Sequence, residues 1–126
     1  MTEQLHTHIR ARTGHISLNR PKALHALTLD MCHAMSAALA EWDAQEAVEA
    51  VILDHAEGRG FCAGGDINLL RNSALNDDGE SGRAFFHDEY RLNHQMFEYG
   101  KPIVAFMDGI TMGGGVGVGC HGSHRV

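Results

Sequence analysis

Apolar residues recur three or four positions apart at Leu29, Cys32, Met35, Leu39 and Trp42, and this spacing predicts a helix with one core-facing stripe. Thr28 is placed to cap its first turn, and Asp30 suits the positive end of the helix dipole. A second long helix is predicted over Arg83–Tyr99, with Phe85, Phe86, Tyr90, Met96 and Phe97 as its apolar contacts, and Lys101-Pro102 breaks it. Two short unbroken apolar runs, Ala50–Leu53 and Ile103–Met107, have the pattern of strands buried on both faces. Leu5–Arg10 and His15–Leu18 read as two short paired strands, with Thr13-Gly14 as the turn between them. Asn19–Lys22 is a loop, because Pro21 biases its predecessor away from helix. Gly58–Gly65 is a glycine-rich loop, Asp66–Leu70 opens a helix, and the polar stretch Asn72–Gly82 reads as an exposed loop. Asp108-Gly109 turns ahead of Gly113-Gly114-Gly115. Strands alternating with helices predict an α/β fold. Neither an internal repeat nor a dividing linker appears in the chain.

Composition narrows the classes. A length of 126 residues gives one domain at most, with a modest core, and 44% apolar residues is too many for a disordered tail. The net charge of -6 comes without a basic stripe, which argues against nucleic-acid binding. The 10 histidines are scattered singly along the chain. Cys32, Cys62 and Cys120 form no C-x-x-C pair, so neither a disulfide scaffold nor a zinc knuckle is expected, and a reducing, cytoplasmic setting fits. The opening MTEQLHTHIR lacks the apolar region of a signal peptide. Pro102–Cys120 carries only one charge, Asp108, but its glycines and proline set it apart from the ~20 predominantly apolar residues of a membrane span.

Two glycine-rich turns, Gly58–Ile67 and Asp108–Gly117, each follow an expected buried strand. Glycine lets a backbone N–H come close to a ligand, and the first turn of a helix leaves N–H groups unpaired. Two such turns that converge can form an oxyanion hole, which holds the negative oxygen of a thioester enolate or tetrahedral intermediate. The plain alternative is tight turns and close helix packing, and spacing by itself does not establish convergence.

Other motifs carry less. Gly117–Gly122 matches G-x-G-x-x-G but follows no strand directly, as a dinucleotide loop must. No G-x-S-x-G nucleophile elbow is present. Cys62 reads as a small packed thiol rather than a nucleophile. His121 and His124, beside Cys120, lack a convincing third ligand, so no metal is expected.

Taken together, these motifs resemble the crotonase superfamily. Phe61-Cys62-Ala63-Gly64-Gly65-Asp66-Ile67 is similar to its first oxyanion loop, and Lys101–Ala105 through Gly113-Gly114-Gly115 to its second. Asn19-Arg20-Pro21 and Ala26-Leu27 fit its opening strand and loop, and the likeness covers the chain from about Gly14 onward. The resemblance implies a crotonase-like α/β spiral of strand–strand–helix units, here truncated, with residues 1–126 as the N-terminal portion of a single domain. It places the two oxyanion N–H donors on Gly65 and Gly114, and acyl-CoA contacts on Asp66, Ile67, Asn68 and, more weakly, Leu24. In the superfamily's hydratases a catalytic glutamate stands three residues beyond the second oxyanion glycine, where this chain has Gly117. Phe85–Asn93 and Met112–Gly117 followed by His121–Val126 instead resemble the 3-hydroxyisobutyryl-CoA hydrolase branch of valine breakdown. There a glutamate matching Glu89 contacts the substrate, although on spacing alone Glu89 would be an exposed helix carboxylate.

The branch's catalytic glutamate and its partner aspartate fall downstream of the His-Arg-Val segment, and the sequence stops at Val126. The expectation is therefore a hydrolase fold whose present residues bind and polarise a 3-hydroxyacyl-CoA with little or no turnover on their own. A hydratase or isomerase of the same superfamily and a non-catalytic acyl-CoA-binding chain are the alternatives. The resemblance implies no metal or redox cofactor, coenzyme A being part of the substrate, and leaves room for a homo-oligomer. Apolar surface is expected to lie open along Ile103–Met107 and the helix after Gly113.

Overall fold

The computed structural model describes residues 3–126; Met1 and Thr2, which open the stretch read against a signal peptide, lie outside the described residues. Strands β1 (Leu5–Arg10) and β2 (Thr13–Leu18) form an antiparallel hairpin. Parallel strands β3 (Ala50–His55), β5 (Ile103–Ala105) and β7 (His124–Arg125) extend it into a five-stranded sheet of order β1-β2-β3-β5-β7. Strands β4 (Gly60–Cys62) and β6 (Ile110–Thr111) pair in parallel as a separate two-stranded ribbon. Helix α1 (Leu29–Asp43) joins β2 to β3; α2 (Ile67–Asn76) and α3 (Glu80–Phe97) join β4 to β5; α4 (Gly114–Cys120) joins β6 to β7. This is the α/β arrangement expected.

The hairpin turns at Ala11-Arg12, where Ala11 is left-handed (φ 54°), and not at Thr13-Gly14. Gly14 lies inside β2 because the Trp42 indole covers it: a Cβ there would stand 2.4 Å from the ring. The α1 stripe is buried as read, from Cys32 and Met35 through Leu39 to Trp42, and the Thr28 hydroxyl caps the helix by accepting from the Met31 N–H at 3.2 Å. The stretch 72–82 is not one exposed loop. Helix α2 runs to Asn76 and α3 starts at Glu80, with the break confined to Asp77–Gly79, where Asp78 and Gly79 are left-handed. Polar residues suit helices with a wide solvent face, and the Asp77 carboxylate binds the Ser73 and Ser81 hydroxyls on either side of the break.

On α3 the apolar contacts divide. Phe85 and Met96 are buried, whereas Phe86, Tyr90 and Phe97 are exposed. Strand β5 ends at Ala105, although the Phe106 and Met107 N–H groups still donate to Leu53 and Val126. Ile103, Ala105 and Val118 are buried, while Phe106, Met112 and Val116 lie open. Among the described residues no helix is long and apolar enough to cross a membrane.

Candidate active site

The first glycine-rich loop leaves β3, passes through β4 and rises to Gly65. Phe61 and Cys62 anchor it in the core at 0% exposure. Near its end, Leu27 N–H donates to Gly64 O (2.7 Å) and Asp66 N–H donates to Leu27 O (2.9 Å). Both ladder bonds flank Gly65, so its own N–H points away from that ladder. The second loop runs beside the first: Ile110 N–H donates to Arg59 O (3.1 Å) and Met112 N–H to Cys62 O (3.0 Å). Gly113 then turns the chain into α4 with Gly114 as its first residue, whose N–H has no intrahelical partner.

The convergence that spacing left open is realised at the tips of these loops. A Cβ built on Gly64 would lie 3.0 Å from Gly114 N; one built on Gly114 would lie 3.4 Å from Gly65 N and 2.1 Å from Glu89 Oε1. The two loop tips therefore lie side by side, with the Glu89 carboxylate packed so closely on Gly114 that no larger residue fits there. Among the described residues neither N–H donates to a backbone carbonyl. Such a pair can stabilise an oxygen that gains negative charge.

Glu89 is not an exposed helix carboxylate. It is 2% exposed and stands in one inward line with Phe85, Leu92 and Met96, three or four residues apart along α3. Among the described residues no cation pairs with it. Burial pushes its carboxyl above the usual range. A glutamate within an otherwise apolar helical stripe was the signal available from sequence.

The other expected contact residues sit around the first loop. Leu24 is left-handed (φ 50°), and its carbonyl accepts from the Ala63 N–H at 3.0 Å. Ile67 and Asn68 are exposed at the start of α2. The Asp66 carboxylate works on the fold itself, accepting from Asn68 N–H (2.9 Å) and Leu69 N–H (3.3 Å) as the cap of α2 and pairing with Arg20 at 3.0 Å. Burial opposes its ionisation, but Arg20 and the two N–H groups outweigh burial and hold the carboxyl below the usual range. Asp66→Ala is expected to cost roughly 1–2 kcal/mol at neutral pH. Because the folded carboxyl is held low, that contribution is present above the ordinary aspartate range and is lost as pH falls through the folded value. Urea unfolding of both proteins checks this: the gap should narrow as pH is lowered toward about 3, and a constant gap would contradict it.

Two features escaped the sequence reading, and a third, the packed thiol expected at Cys62, is found as read. Asn93, one turn beyond Glu89, has a buried Oδ1 with no partner, and its amide nitrogen would be 2.9 Å from a Cβ at Gly117. A side chain at the position where hydratases carry a glutamate would thus have to displace the Asn93 amide. His25 and His55, single in sequence, meet with ring centroids 5.1 Å apart beneath the two loops. Cys62 is sealed in the core, and burial pushes its thiol up to about 11, which leaves it un-ionised at neutral pH.

Comparison with known proteins agrees with this architecture. A family model described as enoyl-CoA hydratase/isomerase matches residues 13–126. The mitochondrial 3-hydroxyisobutyryl-CoA hydrolase of Danio rerio is 45% identical over 119 residues, covering 91% of this chain and 30% of its own length. The human protein of that name is 44% identical over 114 residues, covering 90% and 29% respectively. The chain thus spans about 30% of the length of these curated relatives. Among solved structures, a carnitinyl-CoA dehydratase from Mycobacterium thermoresistibile superposes with a TM-score of 0.95 at 47% identity, over 98% of this chain and 36% of that one. An enoyl-CoA hydratase from Rhodobacter sphaeroides gives 0.93 at 44% identity, over 98% and 36%. With two glycine-rich loops meeting over a buried glutamate on the matched fold, the chain belongs to the enoyl-CoA hydratase/isomerase family, the crotonase superfamily.

Proposed function

We propose that this chain supplies the oxyanion-binding part of a site that hydrolyses a 3-hydroxyacyl-CoA thioester of the 3-hydroxyisobutyryl type. The observation that carries the proposal is the close approach of Gly65 N, Gly114 and Glu89 Oε1 at the tips of the two loops. The thioester carbonyl oxygen would sit between the Gly65 and Gly114 N–H groups, which favour the charge it gains when water adds to the carbonyl carbon. Collapse of that intermediate breaks the C–S bond, and the products are the free acid and coenzyme A. Glu89 would contact the acyl portion, with Leu24 and Gly65–Asn68 on the coenzyme A side. The groups that activate water are not assigned to any residue of this chain. The proposed chemistry needs no metal or redox cofactor, and three free thiols suit a reducing compartment.

The names of the hydrolase relatives support this reading, and so does the glycine at position 117, where any side chain would have to displace the Asn93 amide. A second reading, interconversion of enoyl-CoA and 3-hydroxyacyl-CoA, draws on the names of the two enzymes of similar structure. Calorimetric titration with 3-hydroxyisobutyryl-CoA, isobutyryl-CoA and free coenzyme A tests the proposal. The expected result is tightest binding of the hydroxylated thioester, with negligible thiol release by this chain. Equal affinity for free coenzyme A would remove thioester recognition. Loss of enoyl-thioester absorbance on incubation with an enoyl-CoA would favour the second reading.

A further inference from the structure

His55 closes β3 at the point where the first glycine-rich loop begins, and its side chain is 8% exposed. Its Nδ1 lies 3.1 Å from Glu57 O, at the root of the first loop, and its Nε2 lies 2.8 Å from Asp108 O, at the root of the second. Both partners are carbonyl oxygens, which only accept, so each ring contact is made by an N–H donor. His25, wholly buried, complements it: Nδ1 accepts from Arg20 N–H at 2.9 Å and Nε2 donates to the same Glu57 carbonyl at 2.7 Å, which holds that ring in one neutral tautomer. Glu57 O thus receives two ring N–H groups, one from each histidine. His55 also faces the His25 ring and the Asp108 carboxylate, whose Oδ2 is 4.0 Å from Nε2.

We infer that His55 is a positioning residue that ties the roots of the two loops together and thereby sets the gap between the Gly65 and Gly114 N–H groups. The inference rests on the oxyanion reading above. The path from root to tip is continuous. Above His55 the loops are joined by Ile110 N–H to Arg59 O and Met112 N–H to Cys62 O, and at the tips Gly64 packs directly on Gly114. Loops paired along their length cannot shift at the root without carrying their tips.

Nitrogen-15 NMR of the whole chain, together with acyl-CoA titration, tests this. In the wild type the Gly65 and Gly114 amides are each expected to give a single signal, the reference for the variants. His55→Phe keeps a ring of similar size but removes both donors. It is expected to retain cooperative unfolding, to displace both glycine amides and to weaken isobutyryl-CoA binding about tenfold. His55→Gln, whose amide keeps two N–H donors, is expected to recover part of that loss, which a purely space-filling role would not produce. A folded His55→Phe variant with unchanged amides and affinity overturns the inference. Should that variant not fold, His55→Leu, which also removes both donors, is read in its place, and unchanged glycine amides there overturn the inference equally. If the wild type binds no acyl-CoA, the oxyanion reading fails, while the glycine amide shifts still decide whether the clamp exists.

Discussion

Gly115→Ala is expected to cost roughly 3 kcal/mol or more of folding stability. The added methyl would stand 2.0 Å from Cys62 O and 2.8 Å from Cys62 C, both backbone atoms of a residue at 0% exposure. A flexible side chain could swing aside, but this carbonyl is held by the Met112 N–H it accepts at 3.0 Å. Relief must come from moving α4 off β4, which opens the contact between the loops as well. Gly100→Ala is the matched control, since its new methyl would approach nothing closer than Asp43 Oδ1 at 3.8 Å. It should stay within about 0.5 kcal/mol of the wild type. Urea unfolding midpoints at unchanged slope report both values. A Gly115→Ala protein as stable as the Gly100→Ala protein would show that α4 is free to move away from β4.

Glu89→Gln is expected to stabilise the fold at neutral pH by about 0.5–2 kcal/mol while weakening 3-hydroxyacyl-CoA binding about tenfold. Glu89 is buried without a cation, so ionising it in the folded chain is costly. Its folded carboxyl titrates above the unfolded one. The favourable contribution of its neutral form is therefore complete below the ordinary glutamate range and is lost as pH rises through the folded value. The variant, neutral at every pH, should match the wild type at about pH 4 and pull ahead as pH rises. Thermal unfolding across that range, paired with calorimetric titration at neutral pH, checks both halves. A stability difference that does not change with pH would mean that the carboxylate is solvated after all. Unchanged affinity would remove Glu89 from the proposed site.

Elements whose order is carried by local periodicity were legible from sequence. Helix α1 is set by an apolar stripe and an N-terminal threonine, and both act within one or two turns. The buried strands β3 and β5 show as apolar runs because they sit inside the sheet with neighbours on both sides. Resemblance singled out Gly65 and Gly114 in the two glycine-rich loops, and the structure places those residues side by side. What went astray depended on contacts between distant residues. Gly14 looks like a turn until Trp42 is laid over it. The stretch 72–82 looks like a loop until Asp77 is seen bridging two helix ends. Phe86, Tyr90 and Phe97 satisfy a helical period, yet lie on the face of α3 that nothing among the described residues covers.

The sequence by itself determined the alternation of strands and helices, the absence of a basic stripe and the two glycine-rich turns, because propensity, charge and glycine content act locally. Only the tertiary structure decided that the two turns meet, that Glu89 faces them unpaired, that Asn93 fills the space beside Gly117, and that His25 and His55 grip the loop roots. Each of these is a contact between side chains or backbone far apart in sequence. No periodicity encodes such a contact: the sheet register and the closeness of α3 to α4 set its distances, and those exist only once the chain has folded.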